Sequence, residues 1–207
     1  MNLSQIRAVY DRRAPTYDRT VGCGERLLLG ELRRAFGAEL RGDTLEVAVG
    51  SGLNLPHYGP KVELAIGADL SLGMLEQARR RVTPHDRPLA LVQMDAQRLA
   101  FPTASFDTVA ISLALCTVPD PEAALRELAR VCKPGGRVVL LEHVRSPHWP
   151  IALFQRAGTP LQERFIGCHL TRRTDITLRR LGFTVISERT RLFGIFRLIV
   201  ASPPSDG

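Results

Sequence analysis

Seven short apolar runs punctuate the chain, and most of the stretches between them carry apolar positions at helical spacing. The runs begin at Leu45 and continue with Val62–Leu70, Leu89–Met94, Phe106–Leu113, Arg137–Leu141, Thr184–Thr190 and Gly194–Ala201. Each has the length of a strand, and the central ones are apolar almost throughout, as strands buried on both faces are. The intervening segments predict helices at about Leu3–Asp18, Glu25–Glu39, Gly52–His57, Ser71–Val82 and Pro121–Cys132. Ser71 is a natural N-cap, and Lys133-Pro134-Gly135-Gly136 breaks the last of these helices before the fifth strand. About 40 residues separate the fifth and sixth runs. They hold an apolar, loosely helical segment interrupted by Pro150 and Pro160, then a helix capped by Thr171 that runs to Leu181 and stops at Gly182. Strands and helices in alternation define an α/β protein.

The first run carries the most chemistry. Leu45-Glu46-Val47-Ala48-Val49-Gly50-Ser51-Gly52-Leu53 ends a buried strand in small residues, and Asp69 follows on the next strand, 17 residues after Gly52. Small residues let backbone approach a nucleoside, and the acid accepts hydrogen bonds from ribose hydroxyls. A pyrophosphate needs the full G-x-G-x-x-G turn on a helix N-terminus. Here Ala48 stands at the first glycine position and Leu55 at the third. An adenosyl ligand without phosphates, S-adenosylmethionine, fits this loop better.

The ordered set of Glu46-x-Ala48-x-Gly50-x-Gly52, Asp69, Asp95-Ala96, Phe106-Asp107 and Lys133-Pro134-Gly135-Gly136 resembles the class I S-adenosylmethionine-dependent methyltransferases over roughly residues 5–200. The resemblance implies a Rossmann-like, doubly wound, seven-stranded sheet, mostly parallel with an antiparallel last strand. It implies one methyltransferase domain over 1–207, with an N-terminal lid at 1–24 and an acceptor-side insert at 145–170. Ligands of such sheets bind beyond the carboxyl ends of the strands. Glu46, Ala48, Gly50, Ser51, Gly52, Asn54 and Leu55 then form the cofactor loop. Asp69 takes the ribose, Leu70 and Met74 face the adenine, Asp95 accepts from the adenine amine, and Ala96 donates its backbone N–H. Ser112 and Leu113 offer carbonyls to the cofactor's ammonium. Tyr10-Asp11-Arg12-Arg13-Ala14-Pro15-Thr16-Tyr17-Asp18 is similar to the lid of the quinone-biosynthesis methyltransferases, which implies that Tyr17 closes over the methionine end.

Methyl transfer from a sulfonium needs an acceptor held in line and, for some acceptors, a base. His143, directly after the fifth strand, is the first candidate for that base, because imidazole titrates near neutrality. His169 is the second. Cys116 and Thr117 are expected to line the pocket, Cys116 without a nucleophilic role. Asp107 is expected to be structural. Leu115–Val118, Leu141–Val144 and Gly167–Arg172 resemble the methyltransferase-like seven group, whose members methylate alkyl thiols. Gly52–Tyr58 is similar to bacterial phospholipid N-methyltransferases and to the ubiquinone/menaquinone methyltransferases. All three groups imply an apolar or amphiphilic acceptor. Trp149 and Phe154, with Phe165, are then candidates for the acceptor wall, interleaved with Arg145, Arg156 and Arg164.

Composition narrows this further. The net charge is +7, and residues 143–207 hold ten arginines against four acids while residues 1–142 are nearly neutral. Basic surface of that kind meets anionic lipid headgroups, acidic substrates or nucleic acid. An RNA or protein methyltransferase is the alternative that the basic half suggests, and a non-catalytic S-adenosylmethionine-binding partner subunit the one that Ala48 suggests; with no appended RNA-binding module and no Asn/Asp-Pro-Pro-aromatic motif after the fourth strand, nucleic acid is not expected as a partner. Peripheral contact with an anionic membrane surface is. Cys23, Cys116, Cys132 and Cys168 lie far apart with no C-x-x-C pair, a pattern that argues against a zinc site or a disulfide framework and suits a reducing cytosol. No apolar run approaches the roughly 20 residues that span a bilayer, and no secretory signal is visible. The expected location is cytoplasmic, with contact at the inner membrane face. Residues 202–207 read as a frayed tail.

Overall fold

The computed structural model describes residues 1–82 and 88–204, and of residues 23–26 the backbone only. The seven apolar runs are seven strands: β1 (Gly42–Val47), β2 (Val62–Asp69), β3 (Leu89–Gln93), β4 (Phe106–Ser112), β5 (Cys132–His143), β6 (Thr184–Arg191) and β7 (Phe196–Ser202). The helices are α1 (Leu3–Glu39), α2 (Leu72–Arg79), α3 (Pro121–Val131), α4 (Trp149–Ile166) and α5 (Thr174–Arg180). All strands join one sheet in the order β3-β2-β1-β4-β5-β7-β6. β1 to β5 run parallel, and β7 is antiparallel to both β5 and β6. This is the Rossmann-like doubly wound sheet the sequence implied.

Period-two alternation divides the core into two layers. Val109, Ile111, Val138, Leu140 and Ile199 turn to one face, where Leu125, Leu128 and Val131 of α3 and Leu178 of α5 cover them. Ala110, Val139, Leu141, Leu198 and Val200 turn to the other, under Leu29, Leu32 and Phe36 of α1. Both faces being buried is why these strands read as unbroken apolar runs. Phe36 is wholly buried. Truncating such a side chain to alanine costs about 3–5 kcal/mol.

Several expected boundaries differ. The two N-terminal helices are one helix, capped by a capping box at Asn2 and carrying Pro15 inside. The expected helix at Gly52–His57 is only a 3-10 turn at Leu55–His57. Asn54 is tied by its side chain to Glu46, Ser112 and Arg33, and Gly59-Pro60 follow at once, so the segment has no room to propagate. Neither proline interrupts α4. Pro150 occupies its first turn, where a missing N–H costs nothing, and Pro160 is accommodated within it. The helix expected from Thr171 starts instead at Thr174, because residues 168–172 run along the sheet's rim. There His169 N–H donates to Cys116 and Arg145 N–H to Arg172. The Lys133–Gly136 stretch lies within β5 as a register irregularity opposite Phe106–Thr108. Residues 205–207 of the expected tail, and the Cys23 side chain, lie outside the described residues.

Candidate active site

The chain leaves β1 on one side of the sheet and β4 on the other, so their carboxyl ends diverge into a crevice at the topological switch point. Tyr17, Ala48, Gly50, Ser51, Asp69, Leu70, Met74, Asp95, Ala96, Ser112, Leu113 and Thr117 all line it. Leu3, Ile6, Arg7, Tyr10 and Arg33 of α1 also line it, as do Leu53, Met94, Val118 and Pro119. The apolar residues among these carried no sequence signal, since a helix face gives no clue to which cavity it covers.

Backbone strain gathers at the crevice. Ala48 (φ 55°) and Leu113 (φ 51°) both hold left-handed conformations just beyond β1 and β4. Such residues cost of order 1–3 kcal/mol and persist where the surroundings over-determine them. Gly50 and Gly52 also have positive φ but serve different ends. An added Cβ at Gly50 would meet nothing within 4 Å, so its backbone borders open space. At Gly52 it would lie 2.8 Å from Leu55 and 3.1 Å from Ala78, so this glycine lets α2 pack against the loop. Gly52 and Leu55 are therefore packing residues and do not line the crevice.

Glu46 and Asn54 do not line it either. Glu46 is fully buried; it accepts from Asn54 Nδ2 at 2.5 Å and from the Tyr58 hydroxyl at 2.5 Å, and burial raises its pKa. Asn54 also donates to Ser112 Oγ at 2.7 Å and accepts from Arg33 at 2.6 Å. This network joins β1, β4 and α1 and fixes Ser112 and Arg33 in the wall.

Asp69 accepts backbone N–H bonds from Gly50 and Ser71, each at 2.8 Å. Burial nevertheless pushes its pKa up to about 6, with Asp11 nearby adding to the rise. Asp95 accepts from the backbone and side chain of Gln97, each at 3.0 Å. The Tyr-Asp repeat of α1 splits its work. Tyr10 and Tyr17 line the crevice with ring centroids 6.4 Å apart. Asp11 accepts from Ser71 Oγ (2.5 Å) and Gly73 N–H (3.1 Å). Asp18 takes Ser51 Oγ (2.6 Å) and Arg81 (2.7 Å).

The loop after β4 is held from below. Glu142 accepts from the N–H groups of Ala114 and Leu115 at 2.9 and 3.0 Å, and burial pushes its pKa up to about 7. Arg172 donates to the carbonyls of Leu115 and Val118 at 2.5 and 2.7 Å. Beneath this loop lies an arrangement that sequence spacing hid. The ligand atoms of Cys116, His143 and Cys168 all lie within 4.8 Å of one another. Cys168 Sγ is 3.3 Å from His143 Nε2. The hydrogen bond with Cys116, together with His143, holds Cys168 down at about 5, while that bond and burial hold Cys116 well above the usual thiol range. Its members arrive from three separate segments, so their spacing along the chain gives no sign of the gathering.

The proposed acceptor residues divide. Thr117 lines the crevice, whereas Cys116 is buried behind it and His143 turns to Cys168 rather than into it. His169 is half-buried on the rim, 3.7 Å from the Glu163 carboxylate. Trp149 and Phe154 are 77% and 79% exposed and stand outside the crevice. Trp149 borders a second, shallow hollow with Arg145, Ala152, Leu153, Arg156 and Thr171. Asp107, at the opposite end of β4, accepts from Asp43 N–H and Lys133, a structural position.

A doubly wound sheet whose switch-point crevice is closed by a strand-two acid, a phosphate-excluding loop and an aromatic helix is that of an S-adenosylmethionine-dependent methyltransferase. Residues 45–140 match the family described as "Methyltransferase domain", and with the first relative below the chain belongs to the methyltransferases. It is 42% identical over 142 residues to a phosphatidylethanolamine N-methyltransferase of Cereibacter sphaeroides, covering 68% of this chain and 67% of that protein. It is 37% identical over 148 residues to a demethylmenaquinone methyltransferase of Clavibacter sepedonicus, covering 69% of this chain and 60% of that one. A solved S-adenosylmethionine-dependent methyltransferase of Thermotoga maritima superposes with a TM-score of 0.72 at 22% identity, over 95% of this chain and 99% of the other, a likeness of fold alone. Among the described residues, no helix is long and apolar enough to cross a membrane.

Proposed function

We propose that this enzyme methylates the amine headgroup of a membrane-borne amphiphile, with S-adenosylmethionine held in the switch-point crevice. Bound S-adenosylmethionine supplies an electrophilic methyl on a sulfonium, which leaves the protein to bind, orient and exclude water. The residues present suit it. Each oxygen of Asp69 already takes one backbone N–H and keeps capacity for a ribose hydroxyl. Leu70, Met74 and Met94 give an apolar seat for adenine, with Asp95 and Ala96 at its edge. Ser112 and Leu113 face the amino acid end, and Tyr10 and Tyr17 cover it from α1.

The observation that carries the acceptor class is α4. Trp149, Leu153, Phe154, Leu161 and Phe165 are all more than half exposed, on the side of the helix opposite buried Ala152 and Gln155. Apolar residues grouped this way mark a binding surface. Arg145, Arg156 and Arg164 accompany them, as in helices that lie on anionic bilayers. The helix ends at Gly167, where an added Cβ would meet Met1 and Ile6 at 3.4 and 3.6 Å, and Ile6 lines the crevice. The end of α4 thus packs against the helix that lines the crevice. The phosphatidylethanolamine N-methyltransferase likeness supports an amine over the other acceptors.

Sedimentation with vesicles of phosphatidylethanolamine and anionic lipid, followed by mass spectrometry of the lipids, tests this. Salt-sensitive binding and cofactor-dependent methylation of the amine are expected, both lost in the Trp149→Ser/Phe154→Ser double variant. Methylation of quinone precursors or small thiols, with no vesicle binding, would reject the reading.

A further inference from the structure

We propose that Cys116, His143 and Cys168 form a binding site for a thiophilic d¹⁰ cation of the zinc(II) class, separate from the cofactor crevice but sharing its wall. The donor set is two thiols and one imidazole with no carboxylate, the soft combination that selects such ions. The three ligand atoms lie within 4.8 Å of one another. Zinc bonds of about 2.3 Å to sulfur and 2.0–2.1 Å to nitrogen need ligands roughly 3.5–3.8 Å apart in a tetrahedron, so small rotamer shifts complete the site. The Cys168–His143 edge, at 3.3 Å, is already that close.

The surroundings favour an ion over a plain packing cluster. His143 Nε2 lies against Cys168 Sγ, which turns the imidazole toward the two thiols. The cysteines come from the loop after β4 and the segment after α4, and His143 ends β5. Each segment is independently fixed: Glu142 and Arg172 hold the β4 loop, and His169 N–H donates to the Cys116 carbonyl. Such a preformed site spares the ion the cost of ordering its ligands. Three protein ligands leave a fourth position, as in catalytic rather than structural zinc sites. Thr117, next to Cys116, lines the crevice, and so does Tyr10.

The test uses the full chain, reduced, dialysed against a weak chelator, and then analysed for zinc by elemental mass spectrometry. One zinc per chain is expected, with near-complete loss in Cys116→Ala, Cys168→Ala and His143→Gln. Cobalt(II) titration should give intense thiolate-to-metal absorption that vanishes in the same variants. Retained S-adenosylhomocysteine binding by Cys168→Ala shows that loss of metal is not loss of fold. Zinc content equal in wild type and the Cys116→Ala/Cys168→Ala double variant overturns the proposal. So does a reduced protein that takes up no metal while Cys116 and Cys168 oxidise readily to a disulfide. Neither result touches the lipid-acceptor reading, which rests on α4.

Discussion

Asp69 brings two demands into one carboxyl group. Burial disfavours its charge, while the ribose of the cofactor needs an ionised acceptor. Its folded pKa of about 6 lies above the usual 3.8. Its contribution to stability is therefore present in full below the unfolded pKa and lost as pH rises through about 6. Ligand binding runs the other way. Affinity for S-adenosylhomocysteine should rise between pH 5 and 7.5 and level off above. Asp69→Asn should weaken binding at pH 7.5 by about 1.5–3 kcal/mol, the scale of hydrogen bonds to charged groups, and flatten the pH profile. Calorimetry at the two pH values checks both, and an unaltered affinity would remove Asp69 from the ribose. The two loop glycines should separate equally well. Gly52→Ala forces Ala78 and Leu55 apart and should cost about 1–3 kcal/mol of unfolding free energy. Gly50→Ala meets no neighbour, and its cost is the left-handed backbone alone, roughly 1–2 kcal/mol. Denaturant titrations of both variants give the comparison.

At the scale of elements, the acids of α1 tie it to the crevice rim, which we propose holds it as a lid. Asp11 and Asp18 grip the start of α2 and the β1 loop while Tyr10 and Tyr17 face the ligand. Asp11→Ala/Asp18→Ala should raise hydrogen exchange over residues 3–20 and weaken cofactor binding by about tenfold or more, on the scale of two charge-assisted bonds. The Leu29–Phe36 half of α1 lies on the sheet and should keep its protection. Unchanged exchange at residues 3–20 would mean that the acids do not hold the lid. The Tyr-Asp repeat was legible in sequence as a crevice-side feature; its division of labour was not, because Asp11 finds Ser71 across a contact that no local pattern encodes. α4 shows the same limit. Its apolar character is plain in sequence, yet its pin is Gln155, which donates to Val144 and Leu170 and accepts from Ser146. Gln155→Leu leaves those groups unpaired and should cost about 1–3 kcal/mol per lost buried partner, read by chemical denaturation.

For the whole molecule, the strand runs and the acids at their ends made the sheet and crevice legible, since burial on two faces and a switch-point ligand leave direct marks on sequence. The gathering of Cys116, His143 and Cys168 left none, because it depends on how three rim segments converge. The surplus of positive charge lies in residues 143–207, the part of the chain that includes the apolar face of α4. On the proposed function, cofactor and acceptor surfaces belong to different parts of the chain, and the end of α4 approaches α1 where Gly167 lies near Ile6. This geometry predicts a two-stage ordering. S-adenosylhomocysteine alone should protect residues 3–20 and 112–119 from hydrogen exchange, because these segments line the crevice. Anionic vesicles alone should protect residues 149–166, and raised salt should abolish that effect by screening the arginines. With both present, Met1–Ile6 should be protected beyond either single addition, since that end of α1 touches both surfaces. Strictly additive protection would mean that the lid and α4 act independently, and that the acceptor reaches the methyl by another path.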